Sequence, residues 1–368
     1  MVLIIMAKDK SSTSKPNVTS NPAIAPNPDI KSLSEWMLER NKSYYQSPST
    51  AIHEDFSTYA QSPQGLLTRA NARAFHSYAK KNGRNRYDVL EAGVGEGAFA
   101  HGFLEELKAL DKSSKTDIAS RVHYTLADFS ETMMKKAFAR LESAGFKGQI
   151  HSVTWDASDP ESDPFGFSTF QLIRCNELFD DLPADAFVQQ DGEIHSVLFD
   201  GNLKPHIQPA QTDELDEVAR KLLLVLPQNY IMPFNQSALD SIDKLLERLD
   251  PRGMFDIFDY GFYRADDFAL PPEMWNLNVI REYNSQWTVD LNFLYLSIQL
   301  AQEDHSVLVE PQADYVKSLM GNEMADVRIT DGLDYGKEQD DGNGVGEDSI
   351  PIDAKEDDFF YHLAVKSK

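Results

Sequence analysis

Short apolar segments that alternate with helical patterns are the feature that most constrains how this chain can fold. The strand-like segments are Tyr87–Ala92, His123–Ala127, Gln149–Thr154, Phe170–Cys175 and Met254–Phe258, and helical patterns over 98–110, 131–144 and 237–249 lie between them. Strands that alternate with helices form βαβ units, whose strands run parallel in one sheet. The sequence therefore predicts an α/β fold with a doubly wound sheet.

Further regions surround this pattern. We expect a disordered tail over 1–30, a helical region over 31–84, a core over 85–183 and 236–368, and an insertion over 184–235. The insertion is predicted to hold a helix and a hairpin at Phe187–Phe199, because Asp191-Gly192 supplies the positive φ of a tight turn.

An acidic segment lies near the end of the chain. Residues 331–358 hold 11 acidic residues and two lysines without an apolar period. We interpret them as a solvated, flexible loop. The strand candidates Asp326–Thr330 and Phe359–Lys366 flank this loop and are predicted to pair antiparallel.

Charge and composition limit the partners. The chain has 35 Lys+Arg against 59 Asp+Glu, a net charge of −24, which argues against nucleic acid and anionic membranes and favours a basic protein partner. No apolar run approaches the ~18–20 residues that span a bilayer. We expect a cytoplasmic protein; the mitochondrial matrix is the alternative, which the N-terminus does not support because residues 7–30 lack the arginines and amphipathic period of a presequence. One cysteine, Cys175, excludes an internal disulfide, and no metal site is predicted.

A glycine-rich turn follows the first core strand. It reads Glu91-Ala92-Gly93-Val94-Gly95-Glu96-Gly97, and glycines at such a turn let backbone N–H groups approach a ligand closely. The spacing differs from the G-x-G-x-x-G of dinucleotide sites. It resembles the first motif of the class I S-adenosylmethionine-dependent methyltransferases. That resemblance implies that Glu91, Gly93, Gly95 and Gly97 bind this cofactor; for the glycines alone, a packing role is an equal alternative.

Two more acidic residues follow successive strands. Asp128, with Phe129 beside it, ends the second strand and could accept hydrogen bonds from both ribose hydroxyls. Trp155 and Asp156 end the third, where the ring could stack on adenine and the carboxylate could take its amino group. An N-cap is the alternative for Asp128. Because open α/β sheets bind ligands at the carboxyl ends of their strands, we predict that these residues bind the cofactor.

The segment after the fourth strand is more specific. Asn176–Pro183 resembles the N-E-x-F-D-x-L-P signature of the MidA-like methyltransferases. Further segments resemble this family in the same order: Tyr44-Tyr45, Asp55–Thr58, Asp259-Tyr260-Gly261 and Thr288–Phe293. The resemblance covers roughly residues 35–300. Val94 stands where the family usually has proline, and Gln61-Ser62-Pro63 replaces its P-E-I-S element.

The resemblance implies an S-adenosylmethionine-dependent methyltransferase of the Rossmann-like class I fold, with an arginine of a protein as the acceptor. A guanidinium stays protonated at neutral pH, so the site must orient it and finally accept a proton. We predict that Glu177 and Asp180 are catalytic and that Asn176 fixes the acceptor or the cofactor. Asp259, Tyr260 and Tyr45 are predicted to contact the substrate. For Asp180, helix capping is an equal alternative.

Two other functions remain open at this point. One is a class I methyltransferase that acts on a small molecule. The other is a non-catalytic assembly or binding factor on the same fold, which the presence of Glu91, Asp128 and Asp156 together disfavours. The identity of the acceptor and the oligomeric state do not follow from the sequence.

Overall fold

The computed structural model describes residues 30–46, 65–159, 161–211, 214–264, 267, 279–283, 286–321 and 360–366. Several predicted features lie outside these residues: the tail over 1–29, the segment Asp55–Thr58, the strand Asp326–Thr330 and the acidic segment 331–358.

The helices and strands follow one another along the described chain in this order. They are β1 (Ile30–Ser32), α1 (Leu33–Gln46), α2 (Leu66–Asn82), β2 (Tyr87–Ala92), α3 (Ala98–Ser114), β3 (Val122–Asp128), α4 (Glu131–Ser143), β4 (Ile150–Thr154), β5 (Phe170–Asn176), β6 (Asp185–Gln190), β7 (Glu193–Asp200), β8 (Pro205–Pro209), α5 (Glu217–Val225), β9 (Ile231–Phe234), α6 (Gln236–Leu246), β10 (Leu249–Phe262), β11 (Ile280–Tyr283), β12 (Gln286–Val289), β13 (Leu291–Asn292), α7 (Phe293–Gln302), β14 (Ser306–Pro311), α8 (Gln312–Met320) and β15 (Phe360–Lys366). Single turns of 3₁₀-helix occur at Ala119–Arg121 and Phe179–Asp181.

The main sheet has the order β14-β15-β10-β5-β2-β3-β4, with β13 beside β10. Its five strands from β10 to β4 are parallel, and β15 is antiparallel to both of its neighbours. This arrangement confirms the predicted α/β fold. Reversal of the strand order beside β2 places helices on both faces of the sheet and opens a crevice at the carboxyl ends of the strands.

Each face of the sheet has its own hydrophobic core. Adjacent residues of a strand point to opposite faces. Leu172 of β5 packs with α2, α3, α4 and α8, whereas Ile173 packs with α5, α6 and α7. Because both faces are covered, residues that point to either face of β2 and β5 are buried, which is typical of parallel strands in the centre of a sheet.

The inserted segment forms a second, smaller sheet. Strands β6 and β7 pair antiparallel around a turn in which Asp191 and Gly192 have φ of 50° and 85°, which confirms the predicted hairpin. Strands β8 and β9 extend the sheet, and β1 completes it by pairing with β7. The sequence analysis did not predict that the N-terminal segment joins the insertion. The first strand has only three residues, too few to show a period.

Two strands differ from their predicted form. β10 is longer than the predicted Met254–Phe258. Leu249 already pairs with Phe170 of β5, and regular pairing continues from Met254 after a register shift between these two residues. The last strand, β15, pairs with β10 and β14. β14, a half-buried edge strand, was not predicted, although Val307, Leu308 and Val309 form a short apolar run within it.

No helix among the described residues is long and apolar enough to cross a membrane.

Candidate functional site

A cleft opens at the carboxyl ends of β2, β3, β4 and β5, where an open α/β sheet binds ligands. It encloses about 1200 Å³ including its open mouth. Nine of the predicted site residues line it: Glu91, Gly93, Gly95, Asp128, Phe129, Trp155, Asp156, Asn176 and Glu177. Four strand ends thus bring together residues that are up to 86 positions apart in the sequence.

The glycine turn forms the floor of the cleft. The N–H groups of Gly93 and Val94 donate to the carbonyl oxygen of Ala127 at 2.9 and 3.2 Å, so the turn is tied to the end of β3. Gly95 has φ of 51°, and a Cβ placed on it would meet no atom within 4 Å. That empty space is what a ligand lying against the backbone would require. Gly97 has another role, because its Cβ would lie 2.8 Å from Ala137 of α4.

Asp128 is fixed by backbone donors on both sides. Oδ2 accepts from the Gly95 N–H at 3.0 Å and Oδ1 from the Ser130 N–H at 2.8 Å. Ser130, whose Oγ accepts from Met133, is the N-cap of α4, so the capping alternative for Asp128 is wrong. Burial raises the pKa of Asp128 to about 6, against the effect of these hydrogen bonds.

Glu91 is buried at the base of the cleft and carries two strong hydrogen bonds. Arg174 donates to its Oε2 at 2.7 Å, and the Tyr124 hydroxyl donates to the same oxygen. The buried guanidinium of Arg174 therefore balances the charge of Glu91, and both donors fix the position of its carboxylate. The sequence offered a signal for this pair, since an arginine within the apolar strand β5 needs a buried acid.

The opposite end of the cleft contains aromatic rings and Asp156. Trp155 is buried, and its indole N–H donates to the carbonyl oxygen of Ser162 at 3.2 Å. Asp156 accepts from the N–H and hydroxyl of Ser158 and lies 3.4 Å from the ammonium of Lys42. Phe129 is half-buried in the wall. A planar apolar group with a polar edge fits this combination of rings and carboxylate.

Glu177 projects from a strained backbone position at the end of β5. Its φ is 47°, in the left-handed region that glutamate rarely adopts. Its N–H donates to the carbonyl oxygen of Phe258 at 2.8 Å, and the Asn176 amide donates to its carboxylate at 3.2 Å. Such strain costs on the order of 1–3 kcal/mol and clusters at functional sites.

Three predicted site residues lie behind the wall of the cleft instead of lining it. Asp180 accepts from the Tyr260 hydroxyl, whose oxygen also lies within hydrogen-bond distance of the Thr288 hydroxyl, at 2.7 Å. The Asp259 carboxylate is fully buried and accepts from the N–H groups of Phe179 and Asp180 at 3.1 and 3.4 Å. Burial, reinforced by Asp180 and Glu177, raises the pKa of Asp259. Contact of Asp180, Asp259 or Tyr260 with a substrate stays a prediction, as does that of Tyr45, whose side chain lies outside the described residues.

Helix α1 contributes a wall that the sequence analysis missed. Met37, Leu38, Asn41 and Lys42 line the cleft from this helix. Asn41 holds α1 in place by donating to the carbonyl oxygens of Asp181 and Trp287 at 2.9 and 2.8 Å. These partners are 140 and 246 positions away, so no local pattern indicates them.

The lining of the cleft is strongly acidic. It contains six carboxylates, those of Glu91, Glu96, Asp128, Asp156, Glu177 and Asp181, and one ammonium, that of Lys42. Such a site favours ligands that carry positive charge. Within the described residues, no group of three or more His, Cys, Asp or Glu side chains could hold a metal ion.

A class I sheet with a glycine turn under an acidic cleft defines a fold that binds an adenosine-containing, positively charged cofactor. Residues 66–289 match the model of a family described as "Putative S-adenosyl-L-methionine-dependent methyltransferase". The chain belongs to this family. It is a methyltransferase whose cofactor is S-adenosyl-L-methionine, and the resemblance read from Asn176–Pro183 is confirmed at the level of the family.

Two solved structures share the fold. An uncharacterized protein from Burkholderia thailandensis is 16% identical with a TM-score of 0.63, over 92% of this chain and 87% of that chain. A likely methyl transferase of the same superfamily and organism, bound to S-adenosyl-homocysteine, is 14% identical with a TM-score of 0.58, over 92% and 88%. A search of curated proteins gave no significant match.

Proposed function

We propose that this methyltransferase transfers a methyl group to an arginine side chain of a protein. The observation that carries the proposal is the strained Glu177, which presents a carboxylate to an already acidic cleft. A positively charged acceptor pairs with such a carboxylate, whereas a neutral acceptor has no need of it.

The residues of the cleft fit the cofactor. The open space above Gly95 would receive its chain, Asp128 would accept from the ribose hydroxyls, and Trp155 with Asp156 would hold the adenine. A related structure is described as bound to S-adenosyl-homocysteine, which agrees with this assignment. When bound, S-adenosyl-L-methionine supplies an electrophilic methyl group.

Glu177 has two tasks towards an arginine. It pairs with the guanidinium and so fixes which nitrogen faces the methyl donor. It would also accept the proton that the guanidinium must release after methylation. Asn176, whose amide donates to Glu177, orients the carboxylate. Asp180 and Asp259 support this segment from behind.

The partner follows from charge. A net charge of −24 and an acidic cleft favour an arginine in a basic protein segment, and steer such a partner to the site. We place this reaction in the cytoplasm.

A small-molecule acceptor is the second candidate. It is favoured by α1, because Met37 and Leu38 lie along the cleft and reduce the room for a macromolecule. The two candidates differ in the charge of the acceptor, and a single substitution therefore separates them.

The test is the substitution Glu177→Gln, which keeps the shape of the side chain and removes its charge. Incubation of the protein with labelled S-adenosyl-L-methionine and a lysate, followed by mass spectrometry, should find label on arginine. Glu177→Gln should lower turnover roughly 10²–10⁴-fold, because about 3–5 kcal/mol of charge-assisted stabilisation is lost. The affinity for S-adenosyl-homocysteine should hardly change.

The matched control is Glu96→Gln. Glu96 also lines the cleft, but its carboxylate pairs with Lys136 of α4 at 2.7 Å. Turnover of this variant should stay close to that of the wild type. Full activity of Glu177→Gln, or label on a neutral small molecule alone, would refute the arginine assignment.

A further inference from the structure

A buried chain of hydrogen bonds runs from the base of the cleft along one face of the main sheet, across β2, β5, β10 and β15, to the edge strand β14. Arg174 donates to Glu91 at 2.7 Å through one terminal nitrogen and to the Asn71 oxygen at 3.0 Å through the other. The Asn71 amide donates to Asp256 at 3.0 Å, and His362 bridges Asp256 and Glu310 at 3.0 and 3.1 Å. Six side chains from α2, β2, β5, β10, β14 and β15 are thereby connected.

Five of these six residues are almost completely buried. The exposed fractions are 4% for Glu91, 2% for Arg174, 0% for Asn71, 6% for Asp256 and 3% for His362. Charged groups are costly to bury and persist only when they are paired. Their charges alternate along the chain, so each ion has an opposite or a polar neighbour on both sides.

The direction of every hydrogen bond in this chain is fixed by chemistry. Both nitrogens of His362 face carboxyl oxygens of Asp256 and Glu310, an arrangement that favours the doubly protonated imidazolium. Asn71 must then turn its oxygen to Arg174 and its amide to Asp256, and it also donates to the Tyr315 hydroxyl at 3.3 Å. Burial lowers the pKa of His362, but hydrogen bonds to Asp256 and Glu310 outweigh it and leave the pKa raised.

Arg174 is the link between this chain and the cleft. Its guanidinium lies 3.4 Å from the centre of the Phe99 ring, and its two ends are held by Glu91 and Asn71. Without Asn71, the terminal nitrogen that faces away from Glu91 would lose its acceptor, and the guanidinium would be held less firmly. Glu91 takes its orientation from Arg174 and Tyr124 and lines the cleft.

We infer that Asn71, Asp256 and His362 are positioning residues, which hold Arg174 and through it orient the Glu91 carboxylate towards the cofactor. None of the three lines the cleft; they are connected to it only through the hydrogen bonds of Arg174 and Glu91. The inference rests on Glu91 contacting the cofactor and is independent of the acceptor.

The first experiment measures the affinity for S-adenosyl-homocysteine by calorimetry in Asn71→Ala. Alanine is a good helix former in the interior of α2, and the substitution removes the hydrogen bonds of Asn71 to both Arg174 and Asp256. The dissociation constant should rise roughly three- to thirty-fold, the usual range for residues that act through a neighbour. The control is His76→Ala, on the same helix. His76 is also buried, and it bonds to Thr116 outside the chain. This control should lower the melting temperature to a similar extent and leave the affinity unchanged.

A double-mutant cycle separates positioning from general destabilisation. If Asn71 acts through Glu91, then Asn71→Ala should cost no further affinity in a Glu91→Gln background. Additive losses would overturn the inference.

His362→Phe is a second variant in case Asn71→Ala does not fold. The ring of His362 stacks on Phe258 at 4.7 Å between centroids, so phenylalanine keeps the packing and removes both hydrogen-bond donors. We expect a several-fold weaker affinity; unchanged affinity in this folded variant would overturn the inference. Loss of arginine methylation alone would refute only the proposed acceptor. A wild-type protein that bound no S-adenosyl-homocysteine would overturn the role of Glu91 and, with it, this inference.

Discussion

At the scale of single residues, two glycines of the same motif, Gly95 and Gly97, have different structural roles. Gly95 leaves space in the cleft, whereas Gly97 lets α3 approach α4. Both have positive φ, 51° and 75°. Only the surroundings distinguish a glycine that borders open space in the cleft from one that is required for packing.

We therefore predict opposite effects for Gly95→Ala and Gly97→Ala. The Cβ of Gly95→Ala would enter the cleft, so the affinity for S-adenosyl-homocysteine should fall at least roughly tenfold, while stability falls by only about 1 kcal/mol from the positive φ. The Cβ of Gly97→Ala would lie 2.9 Å from the Cα of Ala137, which cannot yield without moving α4. That variant should lose about 1–3 kcal/mol of unfolding free energy. Urea denaturation and calorimetry on both variants check this, and the reverse pattern would contradict it.

At the scale of elements, the segment after β5 depends on β10 for its shape. Asp259 lies near the end of β10 and accepts from the N–H groups of Phe179 and Asp180, in the 3₁₀ turn that follows Glu177. Tyr260, the next residue, reaches back to Asp180. The Asp-Tyr pair thus acts on the site by holding the backbone that carries Glu177.

Substitutions of Asp259 test this support. Asp259→Leu leaves buried N–H groups without an acceptor and should lower the unfolding free energy by on the order of 2–5 kcal/mol. Asp259→Asn keeps one acceptor oxygen, and because burial raises the pKa of this carboxyl, a neutral amide is a close replacement. We expect Asn to cost much less than Leu in thermal denaturation, with a moderate loss of turnover. Equal losses in the two variants would show that the carboxylate is not an acceptor for the turn.

At the scale of the whole molecule, buried acids make stability depend on pH. Burial raises the pKa of Asp128 and of Asp180 to about 6, and raises that of Asp259 and Asp290 as well. In the unfolded chain these carboxyls titrate near ~3.9. Between these values the folded state binds more protons than the unfolded state, so stability falls as the pH rises through this window. His362, whose pKa is raised, acts in the same direction.

The melting temperature should accordingly be higher at pH 5.5 than at pH 7.5, by roughly 2–5 °C. Repulsion among surface charges, with a net charge of −24, has the same sign but is screened by salt. Calorimetry at about 0.5 M salt isolates the buried groups, whose effect should persist. A melting temperature that is equal or lower at pH 5.5 would contradict the assignment.

The sequence by itself determined the class of fold, the family and the meeting of Glu91, Asp128 and Asp156 in one cleft. Alternating apolar segments and helices predict βαβ units, and parallel strands end at one edge, so Glu91, Asp128 and Asp156 had to meet there. These inferences succeed because they use patterns that are local in the sequence. The hairpin at Asp191-Gly192 is local in the same sense.

Only the tertiary structure decided which residues of the motifs reach the cleft. Asp180, Asp259 and Tyr260 belong to the recognised segments, but hydrogen bonds among them hold them behind the wall. Three other features depend on contacts between residues that are far apart in the sequence. They are the wall of the cleft formed by α1, the pairing of β14 with β15, and the hydrogen bonds that link Glu91 to Glu310. Their contacts arise when the helices pack on the sheet, and no periodicity or motif in a single sequence encodes which distant side chains will then share a hydrogen bond.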